Sequence, residues 1–186
     1  LKVTLTWTDY QGGSCGYAVN NLNLAVTAPG GAVYYGNNFS GAWSVTDLGC
    51  GSGILTIAAA KLGFGAVAAL DHDPQAVRVS LENLARNAIP VTRVRCSTAD
   101  VLHDPLPPGD LVLANILAPV LIEAAPAIAR AVRPHPDASL VLSGILASQF
   151  AEVKAAFARQ GFGLADAQQE ENWRTGCFRR PKGAPA

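Results

Sequence analysis

Residues 45–60 read VTDLGCGSGILTIAAA, and the fold turns on this stretch. A short apolar run ends at Asp47-Leu48, glycines alternate at positions 49, 51 and 53, and a helical run begins at Ile54. Glycines at a strand-to-helix junction allow a sharp turn and let a ligand approach the backbone closely. The spacing narrows the choice of ligand. A dinucleotide fingerprint is G-x-G-x-x-G, but here the third glycine comes one position early and Ile54 stands where it should be. Asp47 precedes the glycines, which places a carboxylate where an ammonium could be held. Eighteen residues past Gly53, Asp71 ends the next apolar run, AVAALD. A carboxylate there can accept from both ribose hydroxyls. A helix N-terminus with no phosphate to hold, flanked by these two carboxylates, suits S-adenosylmethionine better than NAD.

Further along the chain, short apolar runs alternate with helical stretches. The runs are VTDL, AVAALD, VTRVRC, DLVLANIL, SLVLSGIL and TGCFRR. Asp73 and Pro74 make a helix start, with Val77, Leu81 and Leu84 on one face. Phe150, Val153 and Phe157 recur at helical spacing before Gly161 ends the segment. Pro126 divides APVLIEAAPAIARAV into two short helices. Strands alternating with helices in this way predict an α/β fold with a mostly parallel, doubly wound sheet. Ligands of such sheets bind beyond the carboxyl ends of the strands, where the glycine turn lies.

Composition excludes several classes. Of 186 residues, 49% are hydrophobic and 15% charged, so the chain can bury a core. Fourteen basic residues balance fourteen acidic ones, which gives no electrostatic case for direct nucleic-acid binding or an anionic membrane. No apolar run approaches the ~18 residues of a membrane span. LKVTLTWTDY at the N-terminus alternates like a strand, not like a signal peptide. Cys15, Cys50, Cys96 and Cys177 are scattered without a CxxC pair, which argues against a metal site and for reduced thiols in a cytoplasmic protein. His72, His103 and His135 fall in loops and read as solvated.

DLGCGSGILTIAAAKLG, ALDHDPQAV, ENLARN, LVLANILAPVLIEAAPAIA and LVLSGIL resemble, segment by segment, one family of Rossmann-like class I methyltransferases. That family methylates the large-subunit ribosomal protein L-eleven. The resemblance runs from about Val45 to Arg180, and ANILA and LSGIL are its more specific pieces. It implies an S-adenosylmethionine-dependent transfer of a methyl group to an amine nitrogen of a protein. By that resemblance Asp47, Gly49, Gly51 and Gly53 line the methionine end of the cofactor and Asp71 takes the ribose. Asp100 lies where the adenine amino group is bound. Asn115 meets both the methyl donor and the target nitrogen, with Ile116 and Leu117 as walls. Displacement from an activated sulfonium needs in-line approach, a neutral amine and exclusion of water; it needs no metal.

The resemblance stops short of the N-terminus. The family's recognition domain, its linker and a threonine-rich loop over the cofactor are not found in residues 1–44. These instead read as a short antiparallel β segment, in which LKVTLTWTD and NNLNLAVTAPGGAVYYGNNF are similar to part of the β-sandwich domain that follows the catalytic domain of some subtilisin-like proteases. Asn21 and Asn23 stand where Asp is common there, which leaves little for calcium. The expected division is thus 1–44 as a β-sandwich fragment and 45–186 as a methyltransferase domain, a chimera joined between about Gly41 and Val45. Natural recombination, engineered fusion and gene-assembly error are equally consistent with it. Leu22, Leu24 and Val26 would lack partners, which favours self-association through this segment. Two other functions stay open at this level: a scaffold that keeps the fold without activity, and an extracellular β-module.

Overall fold

In a computed structural model the described residues are 2–3, 25–27, 33–35, 43–135 and 137–181. Three short strands, β1 (Lys2–Val3), β2 (Ala25–Thr27) and β3 (Val33–Tyr35), pair antiparallel in that order. Cys15, Asn21, Leu22, Asn23, Leu24 and Gly41 lie outside the described residues.

The rest alternates strand and helix as the apolar runs predict. β4 (Ser44–Leu48) leads through the glycine turn into α1 (Ile54–Lys61). β5 (Ala66–Asp71) and α2 (Pro74–Arg86) follow, then β6 (Val94–Thr98) and β7 (Leu111–Asn115). Next come α3 (Ala118–Glu123), α4 (Ala125–Ala131), β8 (Ser139–Leu146) and α5 (Phe150–Ala158). A hairpin of β9 (Gly163–Glu170) and β10 (Trp173–Arg179) completes the described fold. The seven strands of this sheet run β6-β5-β4-β7-β8-β10-β9. β4 pairs in parallel with both β5 and β7, so the chain reverses its direction of travel at β4, and β10 lies antiparallel between β8 and β9. The doubly wound α/β sheet expected from the sequence is present.

Alternation along the strands splits the core between the two faces. Val45 and Val67 pack with Ile57, Phe64 and Leu84 in one cluster that includes α1 and α2 residues. Leu48, Leu70 and Val112 point the other way, into a cluster with Leu121, Ile128, Phe157 and Phe178. Each large side chain buried there contributes about 1.5–3 kcal/mol.

Helix ends follow local chemistry. Asp73 Oδ1 accepts from the Gln75 N–H at 2.8 Å and Pro74 opens α2. Pro126 separates α3 from α4, with Ala124 the shared cap residue. Gly161 takes φ 82 just after α5. The structure corrects two details. Leu81 is 41% exposed and lies at the margin of the face that buries Val77, Ser80 and Leu84. The strand expected from Val91 starts at Val94, because Arg93 N–H closes a turn onto the Pro90 carbonyl.

Candidate functional site

The glycine turn is fastened from below and from one side. Gly49 N–H and Cys50 N–H both donate to the Leu70 carbonyl of β5, at 2.8 and 2.9 Å. Gly49, Gly51 and Gly53 all adopt positive φ, as side chains rarely do. Close approach adds a second demand at Gly49, where a Cβ would run into the side chain of Ile116 from the loop after β7. From α2, Ser80 Oγ donates to the Gly51 carbonyl at 2.9 Å, and Asn83 Nδ2 donates to the Ser52 carbonyl at 2.9 Å. Ser80 Oγ also touches Cys50 Sγ at 3.4 Å. Burial pushes the Cys50 thiol up to about 11, which leaves it protonated and without nucleophilic use.

Two carboxylates meet the turn. Asp71, at the end of β5, accepts from Gly51 N–H at 2.9 Å and from Asp73 N–H at 3.0 Å. A carboxylate has about four acceptor positions, so capacity for a pair of hydroxyls remains. Asp47 lies beneath the turn and is fully buried. Its Oδ2 accepts from Thr56 Oγ1 at 2.6 Å, while its Oδ1 has no hydrogen-bond partner among the described residues. Burial holds this carboxyl up to about 6, against the opposing pull of the Thr56 hydrogen bonds. A buried oxygen left without a donor costs free energy and calls for an explanation.

A cleft of about 360 Å³ opens beside the turn at the carboxyl ends of β4, β5, β6 and β7. Gly49 and Asp100 line it, with Leu70, Leu102, Leu106 and Ile116 among its apolar walls and His72 at its edge. Asp47, Gly51, Gly53, Asp71 and Asn115 do not line it. Asp71 stands between two residues that do, Leu70 and His72, and Asn115 directly precedes Ile116 and Leu117, which also do. The cleft thus takes Gly49 and Asp100 into its wall, with Asp71 and Asn115 adjacent in sequence to lining residues and Asp47 buried beneath the turn. Asp100 is already engaged: Oδ1 accepts from Leu102 N–H at 2.9 Å and Oδ2 lies 2.9 Å from His103 Nδ1. The Leu102 N–H, followed by His103, holds this carboxyl below the usual range, and the same contact raises His103. Asn115 ends β7 on the exposed side, and its amide makes no hydrogen bond with the described residues.

A family model described as ribosomal protein L11 methyltransferase (PrmA) matches residues 35–181. This chain belongs to the ribosomal protein L11 methyltransferase family. A Chloroflexus aurantiacus L11 methyltransferase is 43% identical over 161 residues, covering 74% of this chain and 48% of that one. One from Methylococcus capsulatus is 45% identical over 130 residues, covering 70% and 43%. The chain thus spans about half the length of these curated relatives. Among solved structures, the L11 methylase of Lactobacillus delbrueckii subsp. bulgaricus matches with a TM-score of 0.70 at 30% identity, covering 77% of this chain and 73% of that one. A TehB-like SAM-dependent methyltransferase from Corynebacterium glutamicum shares the fold, with a TM-score of 0.59 at 19% identity over 75% of this chain and 80% of that one. The L11 methyltransferase match begins at residue 35, within β3, about ten residues ahead of the start expected from the sequence.

The candidate site includes residues that the motif did not show. Thr56 orients Asp47, Ser80 and Asn83 hold two carbonyls of the turn, and Gly144 leaves room for Asn115. Only Ser80 carried a signal: a hydroxyl at a core position between Val77 and Leu84 needs a polar partner.

Proposed function

We propose that this chain is the cofactor-binding and methyl-transferring part of a ribosomal-protein methyltransferase, with S-adenosylmethionine as donor and a protein amine as acceptor. The observation that carries this reading is the glycine turn set over the partnerless Asp47 Oδ1, at the strand ends where an apolar cleft opens. The residues fit that cofactor. A buried carboxylate below the turn offers charge complementarity to the ammonium of the methionine end. Gly49, Gly51 and Gly53 keep that end of the site free of side chains. Asp71 retains lone pairs for the ribose hydroxyls, and the Leu102 and Leu106 walls suit a flat aromatic base beside Asp100.

When bound, S-adenosylmethionine supplies a methyl group already activated on sulfur. The chain supplies orientation and a dry site. Asn115, whose amide makes no hydrogen bond with the described residues, holds the accepting nitrogen, and Ile116 and Leu117 wall the cleft beside it. Alignment of this kind contributes several kcal/mol to a displacement.

In this reading residues 45–186 form the methyltransferase domain and residues 1–44 a β segment resembling part of a subtilisin-like β-sandwich, into which the family match reaches back as far as residue 35. The separate three-stranded sheet supports that division. The acceptor is ribosomal protein L11, met in the cytoplasm.

The test is transfer of labelled methyl from S-adenosylmethionine to purified L11, read by mass spectrometry. Methylation that falls about 100-fold in Asn115→Ala supports the assignment. A chain that binds the cofactor yet modifies no amine would instead support the inactive scaffold.

A further inference from the structure

Gly144 interrupts β8 where the strand passes Asn115. A glycine inside a strand weakens it and marks a bulge or a close approach of groups, and here it marks both. β10 sets Arg174 opposite Ile145 and Gly176 opposite Leu142, so three steps along β8 match two along β10. The extra residue falls at Ser143–Gly144, and Gly144 takes φ 72, in the left-handed region that side chains disfavour. On the other edge of β8, pairing with β7 stops where Asn115 faces Ser143.

The bulge is held in place. Ser143 Oγ and Thr175 Oγ1 lie 2.8 Å apart across β8 and β10, and Leu142 and Ile145 are fully buried to either side of the two bulged residues. A Cβ on Gly144 would stand 2.6 Å from Asn115 Oδ1 and 3.2 Å from the Ile116 carbonyl. The Asn115 side chain therefore occupies the space that any side chain at 144 would take. No hydrogen bond to the described residues fixes that amide, whose oxygen lies over the side of Gly144 that a Cβ would fill.

We infer that Gly144 is a positioning residue for the transfer reaction: the bulge it permits seats the Asn115 amide at the end of β7. This rests on the reading of Asn115 as the group that meets the accepting amine. Gly144 itself touches neither donor nor acceptor. Bulges beside active sites commonly re-aim a side chain in this way.

The experiment uses the full chain with Gly144→Ala, Asn115→Ala and the double variant. Gly144→Asn is added because Asn tolerates the left-handed backbone while still bringing a Cβ. The first readout is the isotope-labelled side-chain amide resonance of Asn115; the second and third are S-adenosylhomocysteine affinity and methyl transfer to L11. Both Gly144 variants are expected to move the Asn115 resonance while cofactor affinity stays within about 3-fold. Turnover should fall about 100-fold, the scale of a misplacement near 1 Å. Gly144→Ala should cost nothing further once Asn115 is already alanine. An unmoved Asn115 resonance in the folded Gly144 variants overturns the inference, and so does an equal loss of turnover with and without Asn115. If Asn115→Ala alone leaves turnover intact, the catalytic reading of Asn115 fails, while the resonance still decides whether Gly144 seats it.

Discussion

At the residue scale, ionised Asp47 carries a burial cost that protonation relieves and that, in the proposed function, an ammonium near the turn offsets. Its carboxyl is raised from 3.8 to about 6 by burial, and that difference corresponds to about 3 kcal/mol. The folded chain holds this proton more tightly than the unfolded chain. The favourable contribution is therefore full below pH 3.8 and is lost as the pH rises through about 6. Asp47→Asn removes the charge, so it should be more stable than the parent by about 1–3 kcal/mol at pH 8. The difference should shrink towards pH 4, as read by urea unfolding at several pH values. The same titration acts on binding with the opposite sense. An ammonium near the turn is attracted to the ionised carboxylate, so S-adenosylhomocysteine affinity should fall as the pH drops through about 6, and Asp47→Asn should flatten that dependence. A pH-independent affinity in the parent would detach Asp47 from the ligand.

At the element scale, α2 both builds the fold and holds the site. Its start could be read from Asp73-Pro74, and its buried face from Val77 and Leu84. Its second task could be read only as a core hydroxyl at Ser80 in need of a partner, because Ser80 and Asn83 act on residues about thirty positions away. Ser80→Ala should cost about 1–3 kcal/mol in thermal or urea unfolding, since the Gly51 carbonyl and Cys50 lose their partner. Asp73→Ala should cost about 1 kcal/mol. It should leave cofactor affinity nearer to the parent's than Ser80→Ala does, because its cap faces solvent and not the turn.

The same contrast explains which strands the sequence showed. β4, β5 and β7 send residues into hydrophobic clusters on both faces of the sheet, so their apolar runs stood out. β9, GLADAQQE, is an edge strand largely exposed on both faces. It offers no hydrophobic period, and polar residues there discourage pairing with another chain. The glycine turn was legible because its residues lie close together in sequence. Gly144 and Thr56 were not, because their roles exist only once β8 meets β7 and α1 packs under the turn.

At the scale of the whole molecule, the sheet order brings β4 and β7 side by side, and the turn after one meets the loop after the other. The Gly49–Ile116 contact spans that junction, so ligand binding there should stabilise the sheet as a unit. At a hundred times its dissociation constant, S-adenosylhomocysteine should add about 2.7 kcal/mol. That is a rise of roughly 5–10 °C in melting temperature for a chain of this size. Among the described residues no helix is long and apolar enough to cross a membrane.

The most direct test of the central claim is calorimetric titration of the purified chain with S-adenosylhomocysteine, beside Asp71→Ala. Binding in the micromolar range is expected, and it should disappear in Asp71→Ala, because that carboxylate fastens Gly51 and, in the proposed function, receives the ribose. A folded parent chain that releases no heat of binding, or an Asp71→Ala chain that binds as tightly as the parent, would contradict it.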